Sequence, residues 1–147
     1  MKAVKLPADL GFELYNIEVE DTLESLREGV GGGYIEIVRT PFCWGEGDSH
    51  RLVMVIDEEG AIKQQPLNYR ASVFYPSPHG IYGEVFLLAE VFDEEEGAKL
   101  ETLPDWLDAH YIVSLGLYLT EAAIDNILRN ETQLIPRFPK PNDPRQN

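Results

Sequence analysis

The stretches Gly33–Arg39 (GYIEIVR) and Arg51–Asp57 (RLVMVID) decide the fold of this chain. Both are rich in β-branched and other apolar residues, and the first alternates between two faces, as the residues of a strand do. The second runs into Glu58–Gly60, whose acidic residues and glycine suit a tight turn. We therefore predict that these stretches are the central strands of a small sheet.

The length and composition of the chain indicate one domain. The 147 residues suffice for an apolar core, and the single cysteine excludes an internal disulfide. The N-terminus has no signal-peptide core, and no run approaches the roughly 20 apolar residues of a membrane span. We expect a cytoplasmic protein that stays out of membranes.

The chain is strongly acidic, with 26 Asp and Glu against 12 Lys and Arg and a formal net charge of −14. This charge disfavours direct contact with nucleic acid or anionic lipid, which carry the same sign. Partners should be neutral, basic or metal-bearing. Solubility alone explains the charge as well as a functional acidic face does, so both interpretations stay open.

The other elements follow from periodicity and turn residues. We predict strands at Ala3–Leu6 and Phe12–Val19, a helix at Thr22–Glu28 capped by Asp21, a loop at Thr40–His50, a short strand at Ala61–Lys63, a helical turn within Pro66–Ser72 and a strand at Gly80–Ala89. The order β-β-α-β-β-(β)-(α)-β is that of a β-grasp domain. We predict an α+β fold with a small mixed sheet and a C-terminal helical extension.

The core domain is predicted to comprise residues 1–89, and residues 90–130 to extend it. Val91–Leu100 suits an acidic turn or hairpin, followed by one helix capped by Thr102 and a second at Glu121–Arg129 capped by Thr120. The apolar surface of these helices either covers the sheet face opposite the first helix or pairs two chains, and we favour a homodimer. Residues 131–147 are too poor in apolar groups to fold and should be a disordered tail.

Four short motifs carry a family resemblance: Gly32–Glu36 (GGYIE), Asp57–Gly60 (DEEG), Leu67–Ala71 (LNYRA) and Ile81–Val85 (IYGEV). In this order, over residues 1–89, they resemble a domain-of-unknown-function family found in bacteriophages, plasmids and actinobacterial genomes. The family has no established activity, so it supplies no catalytic residue. The resemblance implies a mobile-element setting, in which small acidic proteins often act on host machinery.

Two patterns that imitate known sites favour structural interpretations. The glycines of Gly29–Gly33 lie between a helix and a strand, whereas a phosphate loop runs from a strand into a helix. Four potential metal ligands share one short loop: Cys43, Glu46, Asp48 and His50. Mixed ligands of this kind are unusual, and the loop has no cation that would activate the thiol. We predict no metal, cofactor or catalytic residue.

Two hypotheses of function remain. The leading one is a non-enzymatic acidic interaction protein that inhibits or modulates a basic host protein, with a defence protein among the candidate targets. Its partner-binding residues are Glu90, Asp93, Glu94, Glu95, Glu96, Glu101 and Trp106. The alternative is a small-ligand or nucleotide-binding protein with a sheet-edge pocket formed by Arg39, Arg51, Asn68, Tyr69, Arg70 and Tyr82. An internal ion pair with a glutamate is the structural explanation for Arg70.

Overall fold

The computed structural model of the protein describes residues 1–75 and 79–129. Its strands are β1 (Lys2–Leu6), β2 (Tyr15–Glu18), β3 (Ile35–Trp44), β4 (His50–Asp57), β5 (Val85–Asp93) and β6 (Gly97–Glu101). Its helices are α1 (Leu23–Val30), α2 (Tyr69–Ser72) and α3 (Ala109–Leu128). The α+β class is confirmed, and the order of elements is close to the predicted one.

The strands form one sheet in the order β2-β1-β5-β4-β3, and β6 pairs with β5. Every pairing in this sheet is antiparallel, where we expected a mixed sheet. Strands β1 and β6 both pair with the same edge of β5, one after the other. Leu6 of β1 pairs with Val85 near the start of β5, and Glu101 of β6 pairs with Ala89 further along. The backbone N–H of Leu103 donates to the carbonyl of Lys2 at 2.8 Å and joins the two short strands.

The central strand is β5, so the predicted central position of Gly33–Arg39 is wrong. Strand β3, which contains that stretch, lies at the edge of the sheet, and β4 lies next to it. The first five residues of β5 are all buried, whereas exposed residues recur along β3. This difference follows from position, because an inner strand is covered on both faces and both edges.

Both faces of the sheet are covered by helices. On one face, Leu26 and Val30 of α1 pack against side chains that include Val53, Val55 and Leu88. On the other face, α3 contributes Ile112, Leu115 and Leu119 to a larger cluster. Of the two predicted uses of the C-terminal helical surface, the structure therefore contains the cover over the sheet face opposite α1.

The segment Thr40–His50, between the two predicted central strands, is partly strand and not a single loop. Strand β3 continues through Trp44, with a register irregularity between Arg39 and Cys43, so the loop predicted at Thr40–His50 shrinks to residues 45–49. Buried Phe42 and Trp44 explain the longer strand, because their side chains join the core beneath α3. The strand predicted at Ala61–Lys63 is also absent from the described residues and is a turn region.

Helix α1 begins at a different cap from the predicted one. The side chain of Thr22, rather than Asp21, accepts the backbone N–H of Ser25 at 3.1 Å. The helix ends at Gly31, whose φ of 125° is accessible mainly to glycine. The glycine-rich run therefore ends a helix, as predicted.

Helix α3 replaces the two predicted C-terminal helices with one. It begins at Asp108, whose carboxylate accepts the N–H of Tyr111, and it continues unbroken past Thr120. The Thr120 hydroxyl donates to the Gly116 carbonyl one turn earlier, which a helix interior tolerates. The Thr102 hydroxyl accepts the N–H of Lys2 instead of capping a helix.

The hairpin predicted at Val91–Leu100 is confirmed, because β5 and β6 pair on either side of an acidic turn. Residue 89 lies within β5, and the division of the chain at that point stays a prediction. The tail predicted at residues 131–147 lies outside the described residues.

Candidate functional site

The β5–β6 hairpin carries the acidic surface that the sequence predicts. Its last two residue pairs, Phe92–Ala98 and Asp93–Gly97, lie beyond the end of β4, where His50 pairs with Val91. Within the described residues, the glutamates of the turn take part in no salt bridge. These exposed glutamates are Glu94, Glu95 and Glu96. The hairpin tip thus presents unpaired negative charge to solvent.

Asp93 shapes this tip. Its carboxylate accepts the backbone N–H groups of Glu95 at 2.7 Å and Glu96 at 3.3 Å. These two hydrogen bonds hold the pKa of Asp93 below its ordinary value. Asp93 therefore fixes the turn, and the three glutamates that follow it provide the free charge.

The other predicted members of the acidic surface have internal contacts. Glu90 binds Arg39 through two hydrogen bonds of 2.6 and 3.0 Å, and its side chain is only 12% exposed. Glu101 lies 3.8 Å from the Lys99 ammonium. Of the predicted acidic residues, those whose charge is available to a partner are therefore the glutamates at the tip.

Phe92 adds an apolar group beside the acidic tip, with 69% of its surface exposed. Phe92 lies on the same face of β5 as Phe86 and Leu88, because residues two apart in a strand share a face. This is the face of the sheet that α1 covers. Exposed aromatic side chains commonly anchor protein contacts. Phe92 is not among the partner-binding residues predicted from the sequence, although it directly precedes the acidic run.

Trp106 lies in an aromatic cluster instead of on the acidic surface. Its ring is 5.8 Å from that of Trp44 and 5.4 Å from that of Tyr111, both nearly edge-on. Trp44 also stacks on His50 at 5.6 Å. Within the described residues, the buried indole N–H groups of Trp44 and Trp106 have no hydrogen-bond partner. The geometry gives Trp106 a packing role at the end of the sheet from which the hairpin projects.

A second surface is a groove of about 680 Å³ between α3, α2 and the loop that joins β1 to β2. Its floor includes Phe74 and Gly116, and one wall is formed by α3 residues such as Val113 and Leu117. Polar groups at its margins are Glu13, Tyr69, Arg70, His110 and Thr120. The size is typical of a binding cleft.

Only two of the six residues of the predicted sheet-edge pocket line this groove, Tyr69 and Arg70. Arg39 and Arg51 lie on the opposite face, because they share the face of Val53, which packs under α1. Arg39 is bound to Glu90, and Arg51 donates to the Thr40 carbonyl at 2.9 Å. The predicted pocket is therefore divided between the two sides of the sheet.

The Arg70 guanidinium contacts the β1–β2 loop. It donates to the carbonyls of Pro7 at 3.1 Å, and of Asp9 and Leu10 at 3.4 Å. No carboxylate of the described residues forms a salt bridge with it, so the predicted ion pair with a glutamate is replaced by contacts to backbone oxygens. Arg70 thus supports one side of the groove.

The motifs that carry the family resemblance meet at one end of the sheet. Asn68 is buried and donates to the carbonyls of Leu6 and Gly83, both at 2.9 Å, while its side-chain oxygen accepts the N–H of Ala71. The backbone of Tyr82, in the same region, pairs with that of Leu67 in an isolated antiparallel β-bridge. The role of Asn68 is thus to join β1, α2 and the entry to β5.

Asp57 forms a buried polar cluster at the same end, directly before the tight turn predicted at Glu58–Gly60. Its carboxylate accepts hydrogen bonds from Lys63 at 2.8 Å, Gln65 at 3.3 Å and the Glu59 backbone at 2.9 Å. Burial opposes ionisation, but these donors outweigh it and lower the pKa of Asp57. No local pattern indicates this cluster, because Gln65 reaches Asp57 across an irregular turn.

Cys43 lies within β3, opposite Arg51. Burial raises the pKa of its thiol, and nearby Arg51 only partly offsets that effect. A thiol in this state is a weak nucleophile at neutral pH.

None of the helices in the described part of the chain is both long enough and apolar enough to cross a bilayer.

Comparison with known protein families shows where the chain belongs. Residues 1–110 match the model of a domain of unknown function (DUF3846), so the chain belongs to this family. The match extends past the residues 1–89 that carry the motifs and includes the whole β5–β6 hairpin. The chain matches no curated protein and no solved structure.

Proposed function

We propose that this member of the DUF3846 family is a non-enzymatic binding protein that docks its acidic β5–β6 hairpin against a basic surface of another protein. In this proposal the chain is encoded by a phage or a plasmid, and its target is a protein of the host. Proteins of host defence systems are among the candidate targets. The observation that carries the proposal is the projecting tip, whose three exposed glutamates form no salt bridge with any residue that the structure describes.

The tip combines charge with an apolar anchor. Electrostatic attraction steers a basic partner towards Glu94, Glu95 and Glu96, and the neighbouring Phe92 supplies apolar area at close range. Interfaces commonly divide these tasks between charged residues at the rim and an aromatic residue at the centre. The proposed footprint is accordingly the tip and the α1 side of β5.

The turn is organised before any partner arrives. Asp93 already fixes the backbone of Glu95 and Glu96, and the β5–β6 ladder continues to the Asp93–Gly97 pair. A preorganised loop loses less conformational entropy on binding than a flexible one. The hairpin therefore suits recognition of a fixed basic surface.

The proposal of a non-enzymatic role is supported by the state of the reactive side chains. Asp57 is bound to Lys63 and Gln65, and the Cys43 thiol has a raised pKa. Asp57 is thus held by internal hydrogen bonds, and a thiol with a raised pKa is a weak nucleophile at neutral pH.

Affinity capture with the tagged full-length protein tests the proposal. Bacterial host lysate is applied at several salt concentrations to the unaltered chain and to a hairpin variant with Glu94→Gln, Glu95→Gln and Glu96→Gln. We expect the unaltered chain to retain a basic protein whose yield falls as salt rises, and the hairpin variant to lose most of it. Phe92→Ser should weaken capture without changing its salt dependence.

A second triple variant controls for net charge. Glu28→Gln, Glu36→Gln and Glu58→Gln remove the same number of negative charges at exposed positions away from the tip. This variant should capture the partner nearly as well as the unaltered chain. Equal losses in the two triple variants, or capture that ignores salt, would contradict docking through the hairpin.

A further inference from the structure

We infer that two copies of the protein pair through α3, each copy placing the C-terminal half of its helix in the groove of the other. This inference concerns the groove side of the molecule and is independent of the function proposed for the hairpin.

A stripe of five residues along α3 supports the pairing. Val113, Leu117, Thr120, Ile124 and Ile127 follow one another at spacings of four, three, four and three residues. This spacing places them on one face of a helix and is typical of a seam between two helices. Leu117, Ile124 and Ile127 are 63%, 51% and 67% exposed, so the described residues leave the seam uncovered.

The two halves of this stripe have complementary shapes. Its first three residues, Val113, Leu117 and Thr120, line the groove. The last buried residue of α3 is Leu119, and the helix continues beyond it with exposed Ile124 and Ile127. One chain therefore carries both a concave apolar surface and a projecting apolar ridge.

An antiparallel arrangement brings each ridge into the opposite groove. With Thr120 of both copies at the two-fold axis, Ile124 of one copy faces Gly116 of the other. Gly116 leaves room there, since among the described residues an added Cβ would meet only Phe74, at 3.9 Å. A parallel pair would place ridge against ridge and leave both grooves empty.

The chemistry of the ridge matches that of the groove. Its inward residues Ala123, Ile124 and Ile127 are uncharged, and the acidic residues Glu121 and Asp125 lie about 80° and 120° around the helix from Val113. In the groove, Arg70 is directed to loop carbonyls. A neutral apolar helix therefore fits this site better than an anionic small molecule does.

The extent of the surface indicates a weak dimer. Covering the exposed apolar side chains of both stripes removes on the order of 1,000 Å² from water, near the lower limit for a specific interface. The net charge of −14 on each copy opposes association at low salt. We therefore expect dimerisation at micromolar concentrations that strengthens as salt rises, the opposite of the salt dependence expected for the hairpin.

Light scattering of the full-length protein across micromolar concentrations is the first test. The expected mass rises towards twice 16.6 kDa with concentration and with salt. Ile124→Glu places a charge in the seam and should leave a folded monomer by circular dichroism. Tyr118→Glu, at an exposed position on the other side of the helix, should leave the dimer intact. A monomer under all conditions, or equal effects of the two substitutions, would overturn the inference.

Disulfide trapping tests the register. In a Cys43→Ser background, Thr120→Cys places one thiol of each copy at the proposed two-fold axis, and mild oxidation should yield a covalent dimer. Tyr118→Cys serves as the control and should not cross-link efficiently. Cross-linking of Tyr118→Cys in preference to Thr120→Cys would rule out the proposed register.

Native mass spectrometry distinguishes the other candidate occupants of the groove. The full-length protein should appear as a dimer without an adduct. A monomer that retains a small molecule would instead identify a ligand site. A monomer that becomes dimeric only when residues 130–147 are removed would assign the groove to that segment. Either of these results would overturn the pairing of the full-length chain.

Discussion

Gly83 belongs to one of the family motifs and lies where the packing leaves no room for a side chain. A Cβ at this position would lie 1.9 Å from the Gln65 side-chain oxygen, and its φ of +85° is unfavourable for other residues. Since Gln65 also donates to Asp57, a side chain at Gly83 would disturb the buried polar cluster. The glycine of the IYGEV motif therefore has a steric function.

We predict that Gly83→Ala lowers the free energy of unfolding by roughly 2 kcal/mol, because the backbone strain of about 1 kcal/mol adds to the loss of the Gln65–Asp57 hydrogen bond, which is worth about 1 kcal/mol. Gly97→Ala is the matched control, because its φ of +81° is similar and no described residue lies within 4 Å of its added Cβ. That control should lose only about 1 kcal/mol. Urea denaturation measures both values, and similar losses in the two variants would refute the steric function.

Asp57 makes the stability of the fold dependent on acid. Its pKa is lowered in the folded protein from the ordinary value of 3.8, so it stabilises the fold above that pH. This stabilisation disappears as the pH falls through the lowered pKa. Urea denaturation at pH 7 and pH 3 should show a smaller difference in unfolding free energy for Asp57→Asn than for the unaltered chain.

Lys63→Gln provides the companion measurement. It removes the Lys63 ammonium that contacts Asp57 but leaves the hydrogen bonds from Gln65 and Glu59. The acid dependence should therefore fall only part of the way to that of Asp57→Asn. An unchanged dependence in both variants would show that other groups control acid unfolding.

Among the elements, α3 depends on the capping residue that precedes it. Asp108 accepts the N–H of Tyr111 at 2.9 Å and caps a 20-residue helix that covers one sheet face. Asp108→Ala should lower the free energy of unfolding by about 1 kcal/mol. Glu28→Ala, at an exposed position in α1, should change it by less than about 0.5 kcal/mol. Thermal or urea denaturation tests the difference, and equal effects would argue against the cap.

The elements also show what the sequence can predict. Alternation and apolar runs located β4 and the first half of β3, and the acidic run within Val91–Leu100 indicated a turn or hairpin where β5 and β6 pair. The alternation in Gly33–Arg39 could not separate an edge strand from a central one, because the position of a strand depends on residues far away. Strand β5 occupies the centre of the sheet, and its partners β1 and β4 come from distant parts of the chain.

The candidate surfaces were predictable to different degrees. Glu94, Glu95 and Glu96 form a continuous acidic run, so the hairpin tip could be identified without the structure. The groove could not, since it requires α2 and α3 to meet across about forty intervening residues. The four-three spacing after Val113 was an available signal, but the caps assigned to Thr102 and Thr120 divided the helix and obscured it.

At the scale of the whole molecule, net charge controls stability. Repulsion among the charges that give −14 at pH 7 opposes the compact state and weakens when salt screens it. The melting temperature should therefore rise between about 10 and 200 mM sodium chloride. The Ile124→Glu variant should show a similar rise, which would exclude dimerisation as its cause.

The triple variant Glu28→Gln, Glu36→Gln and Glu58→Gln extends this measurement. It removes three negative charges from exposed positions, so its melting temperature should respond less to salt than that of the unaltered chain. An equal or larger response would mean that salt acts through something other than charge repulsion.

The central place of β5 has a consequence for the growing chain. Strands β1–β2 and β3–β4 are local hairpins, but each joins the sheet only through β5, where Leu6 pairs with Val85 and Val55 with Phe86. During translation, both hairpins leave the ribosome before the strand that unites them exists. We therefore expect the apolar faces of both hairpins to stay exposed until β5 has been made, which is the kind of surface that chaperones bind, and the sheet to form only after β5 emerges.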